Sequence, residues 1–128
     1  MHFLPRLAQA DFLALLEAAD VVLDPMHFGG GNSTYEALGL GVPVVTWPGN
    51  FMRGRVTYGC YRQMGVMDCV VADPSAYAAR AVELATTPDL RAHVSARAAA
   101  RRADALFEDG AAVRALEDFF ERAAGAGS

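Results

Sequence analysis

Apolar positions along the chain follow two alternating rhythms. Residues 9–19, QADFLALLEAA, place Phe12, Leu13, Leu15 and Leu16 on one face of an amphipathic helix, with Asp11 positioned to cap its start. DVVLDP (20–25) is a β-branched run stopped by proline, which predicts a buried strand. Beyond a loop with three consecutive glycines, a helix is expected over 33–39, ended by Gly39 and Gly41. VPVVTWPG (42–49) predicts a second buried strand and a turn. RGRVTYGCYRQMG (53–65) reads as a helix weakened by Gly54 and Gly59, and DCVVAD (68–73) as a third strand. Two alanine-rich helices, about 74–86 and 88–107, begin near Pro74 and Pro88. A terminal helix carries Val113, Leu116, Phe119 and Phe120 on one face, and GAGS (125–128) is expected to be a disordered tail.

Helices alternating with nearly continuous apolar strands predict an α/β fold, a Rossmann-like parallel sheet with flanking helices. Three strands are fewer than a complete doubly wound domain carries, so residues 1–124 read as half of such a domain or a small variant of one. The opening MHFLPRL enters as an extended segment and reads as the middle of a fold.

Composition narrows the class. The 128 residues are 53% hydrophobic and 20% charged, which fits one ordinary globular domain with a real core. A net charge of −4 argues against a sequence-independent grip on nucleic acid. All eleven basic residues are arginine, so lysine has no catalytic role in this chain. Cys60 and Cys69 lack metal-ligand or CxxC spacing and read as buried free thiols in a reducing compartment. With no apolar run of membrane-span length and no visible signal peptide, a cytoplasmic location is expected.

The chemistry concentrates in one place. Open parallel sheets bind ligands beyond the carboxyl ends of their strands, and the strand ending at Asp24 leads straight into PMHFGGGNST. Glycines let a ligand approach the backbone. The following helix start offers unpaired N–H groups and the positive end of its dipole, a seat for a diphosphate. Asn32, Ser33 and Thr34 can add side-chain donors there. The pattern is neither G-x-G-x-x-G nor a P-loop. STYE equally fits a capping box, with Ser33 and Glu36 closing on each other's backbone amides. Glu36 can instead accept from a ribose diol, and spacing alone does not separate the two roles.

Other polar residues carry less. His27 shares the loop, as a packed or solvent-facing residue or as a donor to phosphate or sugar. His2 and His93 have no partners at ligand spacing, so no metal site is expected. No nucleophile elbow supports a Ser–His–Asp arrangement. Asp20 and Asp24 bracket the first strand and read as turn formers. Arg53 and Arg55, in WPGNFMRGRV (47–56) on the same sheet edge, can neutralise phosphate or stay solvated or ion-paired. Arg97, Arg101 and Arg102 read as the wet face of a mixed-charge helix.

The stretch FLPRL…DFLALLEAADVVLDPMHFGGGNSTYEALGLGVPVVTWPGNFMRGRVTYGCYRQMGVMDCVV resembles the C-terminal catalytic region of the O-GlcNAc transferase family, most closely its bacterial, tetratricopeptide-linked, SPINDLY-like branch. The likeness runs from about residue 3 to about residue 122. It implies a partial C-terminal domain of a GT-B fold, two Rossmann-like domains facing a cleft, and glycosyl transfer from UDP-GlcNAc to protein Ser/Thr without a metal. By that resemblance Gly30, Gly31, Asn32, Ser33 and the helix start at Thr34 bind the diphosphate, and Glu36 holds the ribose. The backbone near Leu4 and the side chain of Arg6 lie against the uracil, and Arg55 matches a recurrent arginine of the RV element.

Two departures matter. The animal enzymes carry a histidine where this chain has Gly31, which bears on sugar contacts. The family's donor-site lysine and its N-terminal catalytic residues correspond to positions upstream of residue 1. The expectation is therefore a UDP-sugar-binding segment with no catalytic residue of its own, whose partners are a nucleotide sugar and, in the complete enzyme, an acceptor protein. Two alternatives stand beside it. One is a non-catalytic α/β interaction module that self-associates through an exposed sheet edge and the terminal helix. The other is a different GT-B nucleotide-sugar enzyme.

Overall fold

A computed structural model describes residues 1–125. The elements run α1 (Gln9–Glu17), β1 (Val22–Leu23), α2 (Asn32–Leu40), β2 (Val44–Val45), α3 (Val56–Met64), α4 (Pro74–Thr86), α5 (Pro88–Arg102) and α6 (Gly110–Gly125). A 3₁₀ turn at Met52–Gly54 precedes α3, and a π turn at Ala103–Phe107 follows α5. Residues 126–128 of the expected tail lie outside the described residues, and Gly125 is the last residue of α6.

The sheet is parallel, as the sequence pattern requires. Val22 pairs with Val44 and Leu23 with Val45, and the ladder is extended by Val22 N–H to Pro43 O and Asp24 N–H to Val45 O, each 2.9 Å. α2 supplies the crossover that parallel pairing needs. The third predicted strand is reduced to one parallel bridge, Thr46 with Val70, held by Thr46 N–H to Cys69 O and Val71 N–H to Thr46 O, each 3.0 Å. The strands are shorter than the apolar runs because Pro25, Pro43 and Pro48 remove backbone donors at their margins.

The core lies where the helices meet this sheet. Leu38, Val44, Val45, Tyr61, Met64, Cys69 and Leu84 are all essentially fully buried. Tyr61 is accommodated because its phenol oxygen accepts from Val44 N–H at 2.9 Å, leaving no buried polar atom unanswered there. Burial of both free cysteines agrees with the sequence expectation.

Several local expectations are corrected. α1 is capped at Ala8, and Asp11 lies inside its first turn, where its charge still complements the helix dipole. α2 passes through Gly39 and stops at Gly41, whose φ of +85° suits glycine alone. The helix expected over 53–65 is split at Arg55 into the 3₁₀ turn and α3, and Gly54 packs against the first loop, where a Cβ would lie 3.0 Å from Met26 O. α5 stops at Arg102 and continues only as the π turn.

Arg97, Arg101 and Arg102 are more than a wet face. Arg97 pairs with Asp68 at 2.8 Å, Arg101 Nε donates to Met64 O at 3.2 Å, and Arg102 donates to Leu38 O at 2.9 Å. The long stems of Arg101 and Arg102 reach the carbonyl ends of α3 and α2, contacts that helical periodicity does not encode.

α6 packs differently from the rest. None of its residues is buried, and Val113, Leu116, Phe119 and Phe120 form an exposed apolar row. Among the described residues no helix is long and apolar enough to cross a membrane.

Candidate functional site

The first loop at the carboxyl edge of the sheet is pinned from beneath. Asp24, 4% exposed, ends the β1 ladder, and its side chain turns back under the loop. Its Oδ1 accepts from Gly30 N–H at 2.8 Å and its Oδ2 from the Thr46 hydroxyl at 2.7 Å. Gly29 N–H donates to Arg53 O at 2.7 Å. Two of the glycines are fixed by space as well. A Cβ on Gly29 would lie 2.8 Å from Asp24 Oδ1, and one on Gly30 would lie 2.5 Å from Thr34 Oγ1, whereas one on Gly31 meets nothing within 4 Å.

Above this anchoring the chain opens outward. α2, nine residues long, begins at Asn32 with Gly31 as its N-cap. The amides of Gly31, Asn32 and Ser33 make no hydrogen bond among the described residues, and all three residues are exposed. Unpaired amides at a helix start, together with the positive end of its dipole, form a seat for an anion. The capping box is not formed. The helix starts two residues earlier than a capping box in STYE implies, so Ser33 lies inside the first turn and caps nothing, and no side chain caps α2. Glu36 accepts instead from Gln9 Nε2 at 2.6 Å.

The remaining sequence candidates fall into distinct places. Thr34 is buried, with its hydroxyl 2.9 Å from that of Thr57, so it joins α2 to α3 and does not face the loop opening. Leu4 and Arg6 lie on the exposed segment ahead of α1. Arg55 donates to Gly49 O at 2.8 Å and stacks on the Tyr58 ring at 4.7 Å, so it braces the second loop. Arg53 donates to His27 O at 3.1 Å and lies over Phe51, tying the second loop to the first. Between the loops is a cleft of about 260 Å³, lined by Met26, His27, Trp47, Pro48, Gly49 and Asn50. A second cavity, of about 220 Å³, lies between β1 and the start of α2, where Asp24, Gly30, Ser33 and Thr34 meet Phe12 and Leu16. No cluster of possible metal ligands occurs among the described residues.

Sequence reasoning misjudged Asp24 and did not single out Gln9, Thr46 or Thr57. Asp24 left a readable trace, an acidic residue closing an apolar strand directly before the glycine loop. Asp20, the other bracketing carboxylate, is a surface partner of Arg91 at 2.9 Å. Burial, and then the Asp24 charge, push the Tyr77 phenol up, while its hydroxyl donates to Asp24 O at 2.9 Å.

A parallel α/β unit with an open helix start at its carboxyl edge is a Rossmann-like segment, a partial domain. The sequence model of glycosyl transferase family 41 matches residues 8–115, and the chain belongs to that family. Among solved structures it is similar to a mutant of the Thermobaculum terrenum O-GlcNAc transferase, with 30% identity and a TM-score of 0.78 over 91% of this chain. The chain spans 22% of that relative. No curated protein matches it.

Proposed function

We propose that the chain is the donor-binding segment of a protein O-linked N-acetylglucosaminyltransferase. In the complete enzyme it would serve transfer of the sugar from UDP-GlcNAc to a serine or threonine hydroxyl. The observation that carries this reading is the run of unpartnered amides at Gly31, Asn32 and Ser33 on a family 41 chain. A diphosphate seated there gains charge-assisted hydrogen bonds from the backbone and from the exposed side chains of Asn32 and Ser33. Negative charge grows on UDP as the sugar–oxygen bond breaks. The same donors therefore stabilise the transition state more than the bound substrate.

Glu36 has capacity for ribose hydroxyls beyond the bond from Gln9, since an ionised carboxylate offers about four acceptor positions. In this reading the backbone near Leu4 and the Arg6 side chain face the uracil, and Arg55 acts at one remove by holding the second loop. Thr34 contributes its place in the helix start and not its hydroxyl. The reading needs no metal ion, because amides and the helix dipole answer the phosphate charge. The chain covers about a fifth of the solved structure it resembles, and in this reading the groups that activate the acceptor hydroxyl lie outside it.

Isothermal titration of the complete protein tests this. UDP and UDP-GlcNAc should bind, ADP and GDP should bind more weakly, and Glu36→Ala should lose most of the UDP affinity. Equal binding of all three diphosphates, or an unaffected Glu36→Ala, overturns the reading.

A second reading rests on α6. Its exposed apolar row favours a module that associates with another copy of itself. A clean monomer by light scattering at high concentration would remove it.

A further inference from the structure

The anchoring of the glycine loop carries a consequence beyond donor binding as such. A carboxylate is an unexpected neighbour for an anion seat, since like charges repel across a short distance. Asp24 is nevertheless buried directly beneath the loop, and it has no ion-pair partner among the described residues. What it has is a full set of directional contacts. Oδ1 takes the Gly30 amide, Oδ2 takes the Thr46 hydroxyl, its backbone N–H joins the β1–β2 ladder, and its carbonyl takes the Tyr77 hydroxyl. The backbone of Asp24 is therefore held by β2 and α4 and its side chain by Thr46, and that side chain holds one peptide of the loop.

That peptide sets the direction of the next ones. With Gly30 N–H drawn down to Asp24 and Gly29 N–H drawn to Arg53 O, the loop's inner face is used up. The chain can then present its following amides only outward. Contact distances agree: the space beneath Gly29 is filled by the Asp24 carboxylate, and that beside Gly30 by Thr34.

We propose that Asp24 is a positioning residue, whose carboxylate fixes the Gly30 peptide so that the amides of Gly31, Asn32 and Ser33 face the donor diphosphate. The assignment rests on the nucleotide-sugar reading for its ligand, but the loop geometry it claims is measurable without one. A charge-assisted hydrogen bond outweighs the repulsion because it is short, directional and made before the ligand arrives.

Three variants of the complete protein test it: Asp24→Ala, Asp24→Asn and Thr46→Val. Asparagine keeps an acceptor for Gly30 N–H and can donate to the Thr46 oxygen, while removing the charge. Hydrogen exchange of the loop peptide should rise about tenfold in Asp24→Ala and stay near wild type in Asp24→Asn. UDP affinity should fall about tenfold in Asp24→Ala, fall less in Thr46→Val, and return to within about threefold of wild type in Asp24→Asn. Uridine, which lacks the diphosphate, should bind all four proteins alike. A general loss of structure would lower uridine and UDP binding together and would not be rescued by asparagine, so that result overturns the assignment. Unchanged loop exchange in Asp24→Ala overturns it as well. A wild-type protein that ignores UDP overturns the nucleotide reading, and with it the diphosphate half of this proposal, while loop exchange still decides whether Asp24 holds Gly30.

Discussion

The side-chain amide of Gln9 donates to Glu36 Oε1 at 2.6 Å, joining α1 to α2 across 27 positions of the chain. One carboxylate oxygen is thereby oriented, and the other is left without a hydrogen-bond partner among the described residues. Under the nucleotide-sugar reading this makes Gln9 a support for the ribose contact. Gln9→Ala should weaken UDP binding about threefold with no change in melting temperature, since an exposed hydrogen bond contributes little to folding. Glu36→Ala should weaken it about tenfold and abolish discrimination between UDP and 2′-deoxy-UDP. Titration calorimetry with both nucleotides checks this, and retained discrimination would remove Glu36 from the ribose.

Neighbouring glycines in the loop should respond unequally to the same substitution. A methyl at Gly30 would meet Thr34 Oγ1 at 2.5 Å, and that hydroxyl cannot retreat because it is buried against Thr57. Gly30→Ala should cost about 1–3 kcal/mol of stability through overpacking and lost hydrogen bonds. Gly31→Ala meets open space and should change stability by under about 0.5 kcal/mol. Urea titration of both variants settles the contrast. Equal destabilisation would contradict the packing described for Gly30.

Arg102 stabilises the carboxyl end of α2 from a distance of 64 positions, through its bond to Leu38 O at 2.9 Å. Arg102→Ala should lower stability by about 1 kcal/mol by removing one of the two donors to that carbonyl, which keeps Gly41 N–H, whereas Arg122→Ala, on exposed α6, should have no measurable effect. Chemical denaturation compares the two. Equivalence of the variants would show that the Arg102 bond contributes nothing.

Alkaline conditions should lower the stability of the protein. Burial pushes the thiols of Cys60 and Cys69 above their ordinary value of 9.0, and it pushes the Tyr61 phenol well above 10.0. The unfolded chain therefore releases these protons first as pH rises. Stability is fully present below about pH 9 and falls above it, by at most about 1.4 kcal/mol per pH unit for each group. Denaturation curves between pH 7 and pH 10.5 check the sign. A flat profile, or one that Cys60→Ala and Cys69→Ala leave unchanged, would exclude the two thiols as its source.

Helix periodicity, the α/β class and the location of the loop were legible in the sequence because each depends on neighbours within a few residues. Pro74 stands at the start of α4, and Gly41 ends α2 by its positive φ. The family likeness was legible for the same reason, as an ordered string of residues.

What tertiary structure alone decided are contacts between residues far apart in the chain. Strand length depended on which amides found partners across the sheet, so three apolar runs became two short strands and one bridge. The role of STYE depended on where α2 begins and on Gln9, 27 positions away. Asp24 looked like a turn former and is instead the buried floor of the loop, because Thr46, 22 positions on, completes its hydrogen bonds. Local propensity sets where elements begin and end, while burying a carboxylate or freeing an amide is decided only when distant segments pack.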